Sequence, residues 1–504
     1  MRDRVAIVLL ILVALALAAP LWGPGMVNTR GGGDSPFLLQ RLHQMVVNLR
    51  AGVFPARWMP DAAYGLGYPF FSYYAALPYY LAGFLAVAGF DLLTALKLIL
   101  SVGFVASALT MYGWMRHITS NRWMAWLAAV AYVAAPFHLV NVYVRGDSLS
   151  EFYAFVFYPL ILWGLDRTAS RAARGATGAQ WLVPAAAYAG LICSHNVSAL
   201  IFSPFALLYP LALLPPRTSG GARARLRVLG PCYLALGLGL LLSAWVWLPA
   251  LAEQGYVQTQ TLTGGYFDYA RHFRTANVVQ PGLLFDYDVG SSVSTPFAMG
   301  ALQAGLALGG ALLLLARRLV LAPTGGATGG RSGFVLFGLL LSTAMVTPLS
   351  KPLWERVPLL PLVQFPWRFL SVQALFGAAT ASAWVPRGQW GRWISLLLGG
   401  TAIAAVLVPL RPERIAIGPA DVTTERLQVF ELFTQNIGST VGAEYLPRAT
   451  VPRPYTSDLL VEPDAPQPAI PLDGAAVEAT LVERRPTRLL WRVEGAGGRL
   501  ALPL

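Results

Sequence analysis

The chain has 504 residues, of which 56% are hydrophobic and only 12% are charged, and its mean hydropathy is +0.55. A soluble domain carries about 25% charged residues, so this composition cannot cover a water-facing surface of such a size. It also excludes a disordered chain, a coiled coil, a collagen and a disulfide-rich secreted module. The net charge of +13 suits arginines that hold loops on the cytoplasmic side of a membrane. The composition therefore predicts an all-α polytopic membrane protein that does not bind nucleic acid.

Apolar runs of about 18 residues or more predict the membrane crossings, because about 20 helical residues match the hydrocarbon core. The first run, Val5–Trp22, follows Arg2 and Arg4 and lacks a cleavage site of small residues, which favours an uncleaved helix over a signal peptide. Ten further runs lie near residues 92–115, 123–142, 151–166, 177–194, 197–214, 231–252, 297–316, 333–347, 368–385 and 393–410. Cys193 and Cys232 both lie in apolar runs, which predicts free thiols rather than a disulfide.

The stretch Pro69–Phe90 is long enough to cross the membrane, but the positions of the arginines argue against a crossing. The short basic loops between the other runs all fall on the cytoplasmic side only if this stretch lies in the interface or re-enters. Its prolines and tyrosines also suit a helix at the level of the lipid headgroups. We therefore expect eleven crossings, a cytoplasmic N-terminus and an extracytoplasmic C-terminus.

This topology divides the chain into a transmembrane domain, residues 1–410, and an extracytoplasmic tail, residues 411–504. The transmembrane domain contains a large first outer loop, 24–91, with interfacial helices. The tail includes a proline-rich linker or extended edge at 447–471. Alternating apolar and polar residues in the tail predict three short β-strands, at Ala476–Arg484, Arg488–Val493 and Arg499–Leu502. Three short strands bury little surface alone, so we expect them to pack on the outer loops.

Asp34, in the first outer loop, is the first candidate for chemistry. It follows three glycines and precedes Ser35–Pro36, where an amphipathic helix begins. One interpretation is a helix N-cap whose carboxylate accepts backbone N–H bonds, with Pro36 early in the first turn. The other is a general base or a metal ligand just outside the bilayer. The two roles are compatible.

A second cluster is the sequence NVYVRGDSLSE, residues 141–151, which joins two crossings on the side of the first outer loop. Asp147 or Ser148 can cap the following helix with Glu151 in its first turn, a pattern like a capping box. Arg145 lies at membrane depth, where an unpaired charge is costly and usually functional. It can pair with Asp147 or Glu151, or it can bind a phosphate. The letters RGD stand at a helix junction, which argues against an integrin-binding motif.

Two shorter stretches add polar residues on the predicted outer face. His195 and Asn196 interrupt an apolar run and predict either a polar turn or a contact to the substrate. Arg368, in the sequence QFPWRF, enters the tenth crossing from outside, and the preceding proline restricts the backbone there. It is either an interface anchor or a contact to an anionic headgroup.

The loop 254–296 contains glycines, aromatic residues, Asp268, Arg271, His272 and Arg274, which is typical of a mobile loop that faces a substrate. The motifs of nucleotide hydrolysis and hydride transfer are missing from the sequence: there is no P-loop, no G-x-G-x-x-G with a following acid, no H-E-x-x-H and no C-x-x-C. Five histidines in different segments do not form a zinc site.

The order of these features resembles the GT-C class of glycosyltransferases, which use lipid-phosphate-linked sugar donors. More narrowly, the chain is similar over most of residues 1–450 to a bacterial membrane family labelled as related to 6-pyruvoyl-tetrahydropterin synthase, through GGGDSPFLLQRL, YVRGDSLSEF, LICSHNVSALI, WLPALAE, QFPWRFL and GSTVGAEYLP. The resemblance implies a plasma-membrane protein in which Asp34 matches the first-loop acid of the class. The junction 145–151 is then a candidate for its second polar cluster. Some members pair the first-loop acid as Asp-Glu, whereas Asp34 stands alone, so a divalent metal stays possible without being implied.

The leading hypothesis is an inverting membrane glycosyltransferase that moves a sugar from a polyprenyl-phosphate donor to an acceptor on the extracytoplasmic face. Asp34 is the expected catalytic base. Arg145 and Arg368 are the expected ligands of the donor phosphate, because a guanidinium presents a planar fork of donors. The candidates for substrate binding are Asp147, Glu151, His195, Asn196, Asp268 and His272.

Two other classes of function stay open. A lipid or polysaccharide transporter needs polar residues along the interior of its helix bundle, and Lys97 is nearly the only clear charge within a predicted crossing. A non-catalytic scaffold that kept the architecture and lost the activity needs no reactive residues at all. Membrane lipids are expected partners of the protein in each case. A lipid-sized cavity that opens sideways beside Asp34 is expected only of the transferase.

Overall fold

The computed structural model describes residues 2–30, 35–146, 148–175, 178–214, 221–289, 296–320, 327–457, 460, 470–471, 477–486, 488–495 and 500–501. The helices in these ranges are α1 (Arg2–Ala18), α2 (Pro36–Arg50), α3 (Phe70–Tyr73), α4 (Leu77–Val87), α5 (Leu92–Thr119), α6 (Arg122–Val133), α7 (Pro136–Tyr143), α8 (Leu149–Ala172), α9 (Leu182–Ser194), α10 (Asn196–Ala212), α11 (Ala222–Leu242), α12 (Ala244–Glu253), α13 (Ala301–Val320), α14 (Ala327–Met345), α15 (Lys351–Arg356), α16 (Leu370–Ala381), α17 (Trp390–Leu407) and α18 (Thr424–Thr434). The strands are β1 (Met26–Val27), β2 (Arg414–Ile415), β3 (Ile470–Pro471), β4 (Val477–Arg485), β5 (Arg488–Gly495) and β6 (Leu500–Ala501).

Six helical stretches of the described chain are long and apolar enough to cross a membrane: Asp3–Trp22, Leu92–Thr119, Arg122–Tyr143, Ala222–Leu242, Ala301–Leu319 and Trp390–Leu407. A seventh is obtained if Gly329–Met345 and Pro348–Arg356, which are bent by 97°, count as one span. The remaining predicted crossings coincide with α8, α9, α10 and α16, which are not in that set. The membrane class is therefore confirmed, while eleven crossings stay a prediction.

The core of the bundle is built by α5, α6, α8 and α16. Every residue of α16 is buried, and α6 exposes little of its surface. A helix that is apolar on all sides suits such a central position, because it has no polar face to present to water. Helices α1, α11, α13 and α17 expose large apolar residues instead, as expected of a face in contact with lipid chains.

The first outer loop folds as predicted into short helices. Helix α2 begins at Pro36, the first helical position, where proline costs no hydrogen bond. The stretch predicted to avoid crossing is split into α3 and α4. Helix α4 has 11 residues, or about 16 Å of length, against about 30 Å of hydrocarbon. Its length alone therefore prevents it from spanning the bilayer upright.

The predicted runs match the helices only in part. The run at 123–142 coincides with the stretch Arg122–Tyr143, but within it α6 and α7 are separated before Pro136, which disfavours the helical conformation for the residue that precedes it. The run at 231–252 divides at Ser243 into α11 and α12, and α11 begins at Ala222, so its arginines lie in helical turns rather than in a loop. The predicted mobile loop after α12 contains four short 3-10 turns between residues 254 and 271.

The tail contains its strands where the sequence predicts them. Strands β4 and β5 form an antiparallel hairpin, and β3 pairs with β6. The expected packing of these strands on the outer loops was wrong for β5, whose residues are mostly exposed. The contact to the first outer loop is made by the segment before them. Strand β2 pairs with β1, and Phe430 of α18 meets the ring of Phe37 edge-on at 6.2 Å.

Candidate functional site

The buried carboxylate of Glu151 is the centre of the site. Its Oε2 atom lies 2.5 Å from Nη1 of Arg145 and 3.6 Å from Nε of Arg368. The Glu151 side chain is only 3% exposed, and those of Arg145 and Arg368 are 17% and 9% exposed. The structure thus brings together three predicted residues that lie up to 223 positions apart in the sequence. Ser148, one of the two predicted capping residues, makes no side-chain cap, and Glu151 binds Arg145.

The end of α7 holds Arg145 in place. Its backbone N–H donates to Val140 O at 2.9 Å, and its Nη1 also donates to Asn141 Oδ1 at 2.7 Å. Its carbonyl accepts a hydrogen bond from Thr29 Oγ1 at 2.6 Å, and the Arg30 N–H donates to Val144 O at 2.9 Å. The first outer loop therefore fixes the backbone from which the guanidinium projects.

Arg368 is positioned by the turn that precedes α16. Pro366 begins a 3-10 turn that ends at Phe369. The guanidinium Nη1 donates back to Val363 O at 2.9 Å and to Gln364 Oε1 at 3.2 Å. Gln364 itself has a positive φ of 65°, a strained conformation for a residue with a side chain. The turn thereby aims Arg368 into the bundle rather than along its rim.

An aromatic ladder, defined here as Phe297, Trp367 and Phe365, supports the arginines. The Phe297 and Trp367 rings stack with centroids 4.2 Å apart, and those of Phe365 and Trp367 are 4.8 Å apart. The guanidinium of Arg145 lies 5.1 Å from the centroid of Trp367, and that of Arg368 lies 5.0 Å from the centroid of Phe365. The negative faces of the rings stabilise cations held out of water.

His195 and Asn196 form the polar turn between α9 and α10. His195 caps α10, because its Nδ1 accepts the Ser198 N–H at 3.2 Å. Burial lowers the pKa of His195 to about 3, so the ring is neutral and its proton is on Nε2. Asn196 accepts from Ala75 N–H at 3.0 Å and donates to Tyr73 O at 2.8 Å. The turn thus anchors the first outer loop beside the site.

The polar residues of the loop after α12 differ in whether they lie near the site. Asp268 caps its own turn by accepting from Ala270 N–H at 3.0 Å and does not join the Glu151 cluster. The His272 ring lies 4.7 Å from the ring of Phe365, at the edge of the aromatic ladder. Burial lowers the pKa of His272 as well. Arg274 of the same loop lies 5.7 Å from the centroid of Phe297 and is buried.

Asp34 and Asp147 lie outside the described residues, but the residues that flank the Asp34 segment are described. Gly146 has a φ of +69°, and a Cβ added there would lie 2.8 Å from Thr29 Oγ1 and 3.0 Å from Ser35 Oγ. Only glycine fits such a close approach with that backbone conformation. The chain therefore enters and leaves the segment 31–34 beside Gly146, the neighbour of Arg145.

Metal ligands do not cluster in the part of the chain that the structure describes: no group of three or more His, Cys, Asp or Glu side chains could hold an ion there. The thiols of Cys193 and Cys232 are free and buried, as the sequence predicts. Glu151 carries a single negative charge between two guanidinium groups. These three side chains together therefore keep a net positive charge, which suits an anionic ligand.

A second buried carboxylate, Asp166, lies near the other end of α8 and was missed from the sequence. Arg331 binds it through two hydrogen bonds, from Nε at 2.6 Å and from Nη2 at 2.7 Å. Tyr209, His117 and Ser170 contact the same carboxylate at 2.8, 3.0 and 3.2 Å. The sequence signal was an acid at the end of an apolar run, but its partner Arg331 is 165 positions away.

The fold and the site define an α-helical membrane protein with a cationic cluster buried at one end of its bundle. The chain belongs to the family described as "6-pyruvoyl-tetrahydropterin synthase related domain; membrane protein", whose model matches residues 71–410. A relative from Lactococcus lactis subsp. cremoris, described only as an uncharacterized protein, is 24% identical over 262 residues. That alignment covers 50% of this chain and 40% of the relative.

Solved structures of two membrane glycosyltransferases are similar to this fold. The oligosaccharyltransferase of Archaeoglobus fulgidus in the apo form has a TM-score of 0.46 and 14% identity, over 87% of this chain and 56% of that one. The same enzyme in complex with zinc and sulfate has a TM-score of 0.43 and 16% identity, over 79% of this chain and 52% of that one. Arabinofuranosyltransferase AftD from Mycobacteria has a TM-score of 0.47 and 17% identity, over 79% of this chain and 27% of that one.

Proposed function

We propose that this protein is a membrane glycosyltransferase that moves a sugar from a polyprenyl-phosphate donor to an acceptor on the extracytoplasmic face. The observation that carries the proposal is the convergence of Arg145 and Arg368 on Glu151. Two arginines from distant parts of the chain are held by their neighbours and stacked on aromatic rings. Two guanidinium groups held toward one point present donors that suit the oxygens of a phosphate.

In the proposed reaction, the acceptor oxygen forms a bond to the anomeric carbon while the bond from that carbon to the phosphate oxygen breaks. The electron pair of the broken bond stays on the lipid phosphate, which leaves with an added negative charge. Arg145 and Arg368 stabilise this charge, because planar guanidinium groups match phosphate oxygens. The acceptor proton passes to a carboxylate that acts as general base.

Asp34 is our choice for that base, and the chain around it supports the choice. Asp34 is covalently next to Ser35, and Cα atoms of neighbouring residues are about 3.8 Å apart. The Ser35 side chain contacts Thr29 at 2.7 Å, and Thr29 binds the Arg145 carbonyl. A carboxylate close to Arg145 is what base-assisted transfer requires, provided that the acceptor separates it from the phosphate.

Glu151 acts in this proposal as a positioning residue. Its carboxylate holds both guanidinium groups toward one point, and arginine has enough donors to bind a phosphate at the same time. Glu151 also lowers the net positive charge of the site before a donor binds, which reduces the cost of keeping two cations out of water.

The substitution Asp34→Asn tests the assignment of the base, because it keeps the shape of the side chain and removes the proton acceptor. We expect transfer from a polyprenyl-phosphate sugar to fall by roughly a hundredfold or more, with normal expression and thermal stability. The matched control is Asp91→Asn, which affects an exposed aspartate that caps α5 by accepting from Thr94 N–H at 2.9 Å. Asparagine also caps helices, so the control keeps normal transfer. Normal transfer by the Asp34→Asn variant excludes Asp34 as the base.

A further inference from the structure

Helices α1 and α5 enclose a groove on the outside of the bundle. Its volume is about 530 Å³, and Leu15, Trp22 and Val102, each close to half exposed, are among the residues that line it. The hydroxyl of Ser101 in this groove is already bonded, since it accepts from Trp22 Nε1 at 3.1 Å and donates to Lys97 O at 2.8 Å. Both helices belong to stretches that can span a membrane. The groove therefore suits a hydrocarbon chain better than water.

Two cations meet at one end of this groove. Lys97 donates from Nζ to Gly23 O at 3.0 Å. The guanidinium of Arg414 packs directly against Gly23, where a Cβ would collide with it. Arg414 also donates to Pro20 O and, at 3.2 Å, to Pro24 O. Lys97 belongs to α5, a predicted crossing, and Arg414 belongs to the tail. The fold therefore places two positive charges beside the same residue, Gly23.

Capping of the α1 end explains part of this arrangement, because cations are favourable near the carboxyl end of a helix. It does not use every donor, since lysine has three N–H groups and arginine has five. Among the described residues, neither cation has an acidic group within 4.0 Å. Asp91 acts on Lys97 only from a longer distance, while Arg414 repels it. An anion placed between the two side chains relieves this repulsion.

We propose that an anionic phospholipid binds here, with one acyl chain in the groove between α1 and α5 and its phosphate between Lys97 and Arg414. Trp22 lies at the boundary between the groove and the cations, and its indole is suited to the headgroup level of a bilayer. Along this surface, the apolar groove is followed by the indole and then by the cations. A phospholipid has the matching parts in the same order, from the acyl chain to the phosphate. This site does not depend on the proposed transferase function.

The full-length protein in detergent, with added dioleoyl-phosphatidylglycerol, tests the site by native mass spectrometry. Each basic residue near a membrane surface contributes about 1 kcal/mol, which is about a fivefold change in binding. We expect Lys97→Gln and Arg414→Gln each to lower the affinity for phosphatidylglycerol about fivefold, and the double variant to lower it about thirtyfold. Glutamine keeps a donor for the capped carbonyls, so the fold is preserved and melting temperatures check this directly.

The matched control for charge is Arg411→Gln. Arg411 also caps backbone carbonyls at a helix end, those of Val408 and Leu410, but it does not line the groove. This variant is expected to keep normal binding. The control for shape compares Val102→Trp, which fills the groove, with Val8→Trp on the exposed face of α1. Only the first is expected to weaken binding of phosphatidylglycerol.

Two further lipids distinguish the possible occupants. Dioleoyl-phosphatidylcholine, which has the same chains without net charge, is expected to bind several-fold more weakly than phosphatidylglycerol. A polyprenyl phosphate is expected not to displace phosphatidylglycerol from this groove. Equal binding of the two phospholipids, unchanged binding by the double variant, or displacement by the polyprenyl phosphate overturns the proposal. The last result assigns the groove to the sugar donor instead.

Discussion

Glu151 and Asp166 are two buried carboxylates on one helix, α8, separated by about 22 Å along its axis. Asp166 has a single guanidinium, that of Arg331, in a contact of two hydrogen bonds, and three further side chains complete its shell. Glu151 instead faces two guanidinium groups with one oxygen. The first arrangement pairs one carboxylate with one guanidinium, and the second places two guanidinium groups on one carboxylate.

Burial of an ion pair therefore does not by itself indicate a functional site. The Asp166 cluster joins α5, α8, α10 and α14, and its carboxylate has donors on both oxygens. It is a structural connection among four helices. The arginines of the Glu151 cluster instead lie against the rings of the aromatic ladder. We propose that this second cluster is the one that binds an anion.

Removal of Arg331 is expected to have the largest effect, and this effect is on the stability of the fold. The substitution Arg331→Ala leaves Asp166 buried without a cation, and such a loss costs roughly 3–5 kcal/mol of unfolding free energy. Unfolding of the purified protein in detergent measures this effect. Arg318→Ala is the control, because Arg318 is exposed and donates to the carbonyl of Gly329 rather than to a buried carboxylate. A loss as small as that of the control would show that Asp166 needs no partner.

Removal of Arg145, in the Glu151 cluster, is expected to affect the binding of a lipid phosphate. We expect Arg145→Ala to weaken binding of a polyprenyl phosphate by roughly ten- to a hundredfold, because a hydrogen bond to a charged group contributes about 1.5–3 kcal/mol. Arg145→Lys restores binding only in part, since the planar fork is lost. Equilibrium binding of the labelled lipid measures the affinities of both variants.

The control for Arg145 is Arg57→Ala. Arg57 forms an ion pair of 2.5 Å with Glu253, but both side chains are about two-fifths exposed, and exposed pairs contribute little. Binding of the lipid phosphate is expected to stay normal in this variant. An equal loss in both variants would point to a general effect of surface charge.

The pH dependence of stability gives the smallest expected effect. The pKa of His195 is depressed to about 3 by burial, against about 6.5 in an unfolded chain. The unfolded state therefore binds the extra proton first as the pH falls. Stability contributed by the neutral ring is complete above pH 6.5 and is lost as the pH falls toward 3. The variant His195→Asn keeps a capping side chain and is expected to lose less stability between pH 7 and pH 5. An unchanged slope of melting temperature with pH would contradict this.

Sequence patterns predicted the features that depend on local chemistry. Helix α2 begins at Pro36, β4 and β5 lie within two residues of their predicted limits, and both cysteines are free. The proximity of Arg145 to Glu151 was among the predicted alternatives because both lie in one junction. These features depend on neighbours along the chain, which a sequence displays directly.

Features that join distant segments could not be predicted in this way. The stacking of Phe297 on Trp367 and the ion pair of Asp166 with Arg331 connect helices whose order in space is not encoded by any spacing. The same holds for Glu431 of the tail, which accepts hydrogen bonds from the Ala63 and Tyr64 N–H groups. Only packing brings these groups together.

A structure of the protein with a bound polyprenyl phosphate tests the central claim most directly. We expect phosphate oxygens about 3 Å from the guanidinium nitrogens of both Arg145 and Arg368, with the Asp34 carboxylate facing the same site. A phosphate bound elsewhere, with Arg145 and Arg368 still held only by Glu151 and their protein neighbours, would contradict it and leave the cluster as a purely structural ion pair.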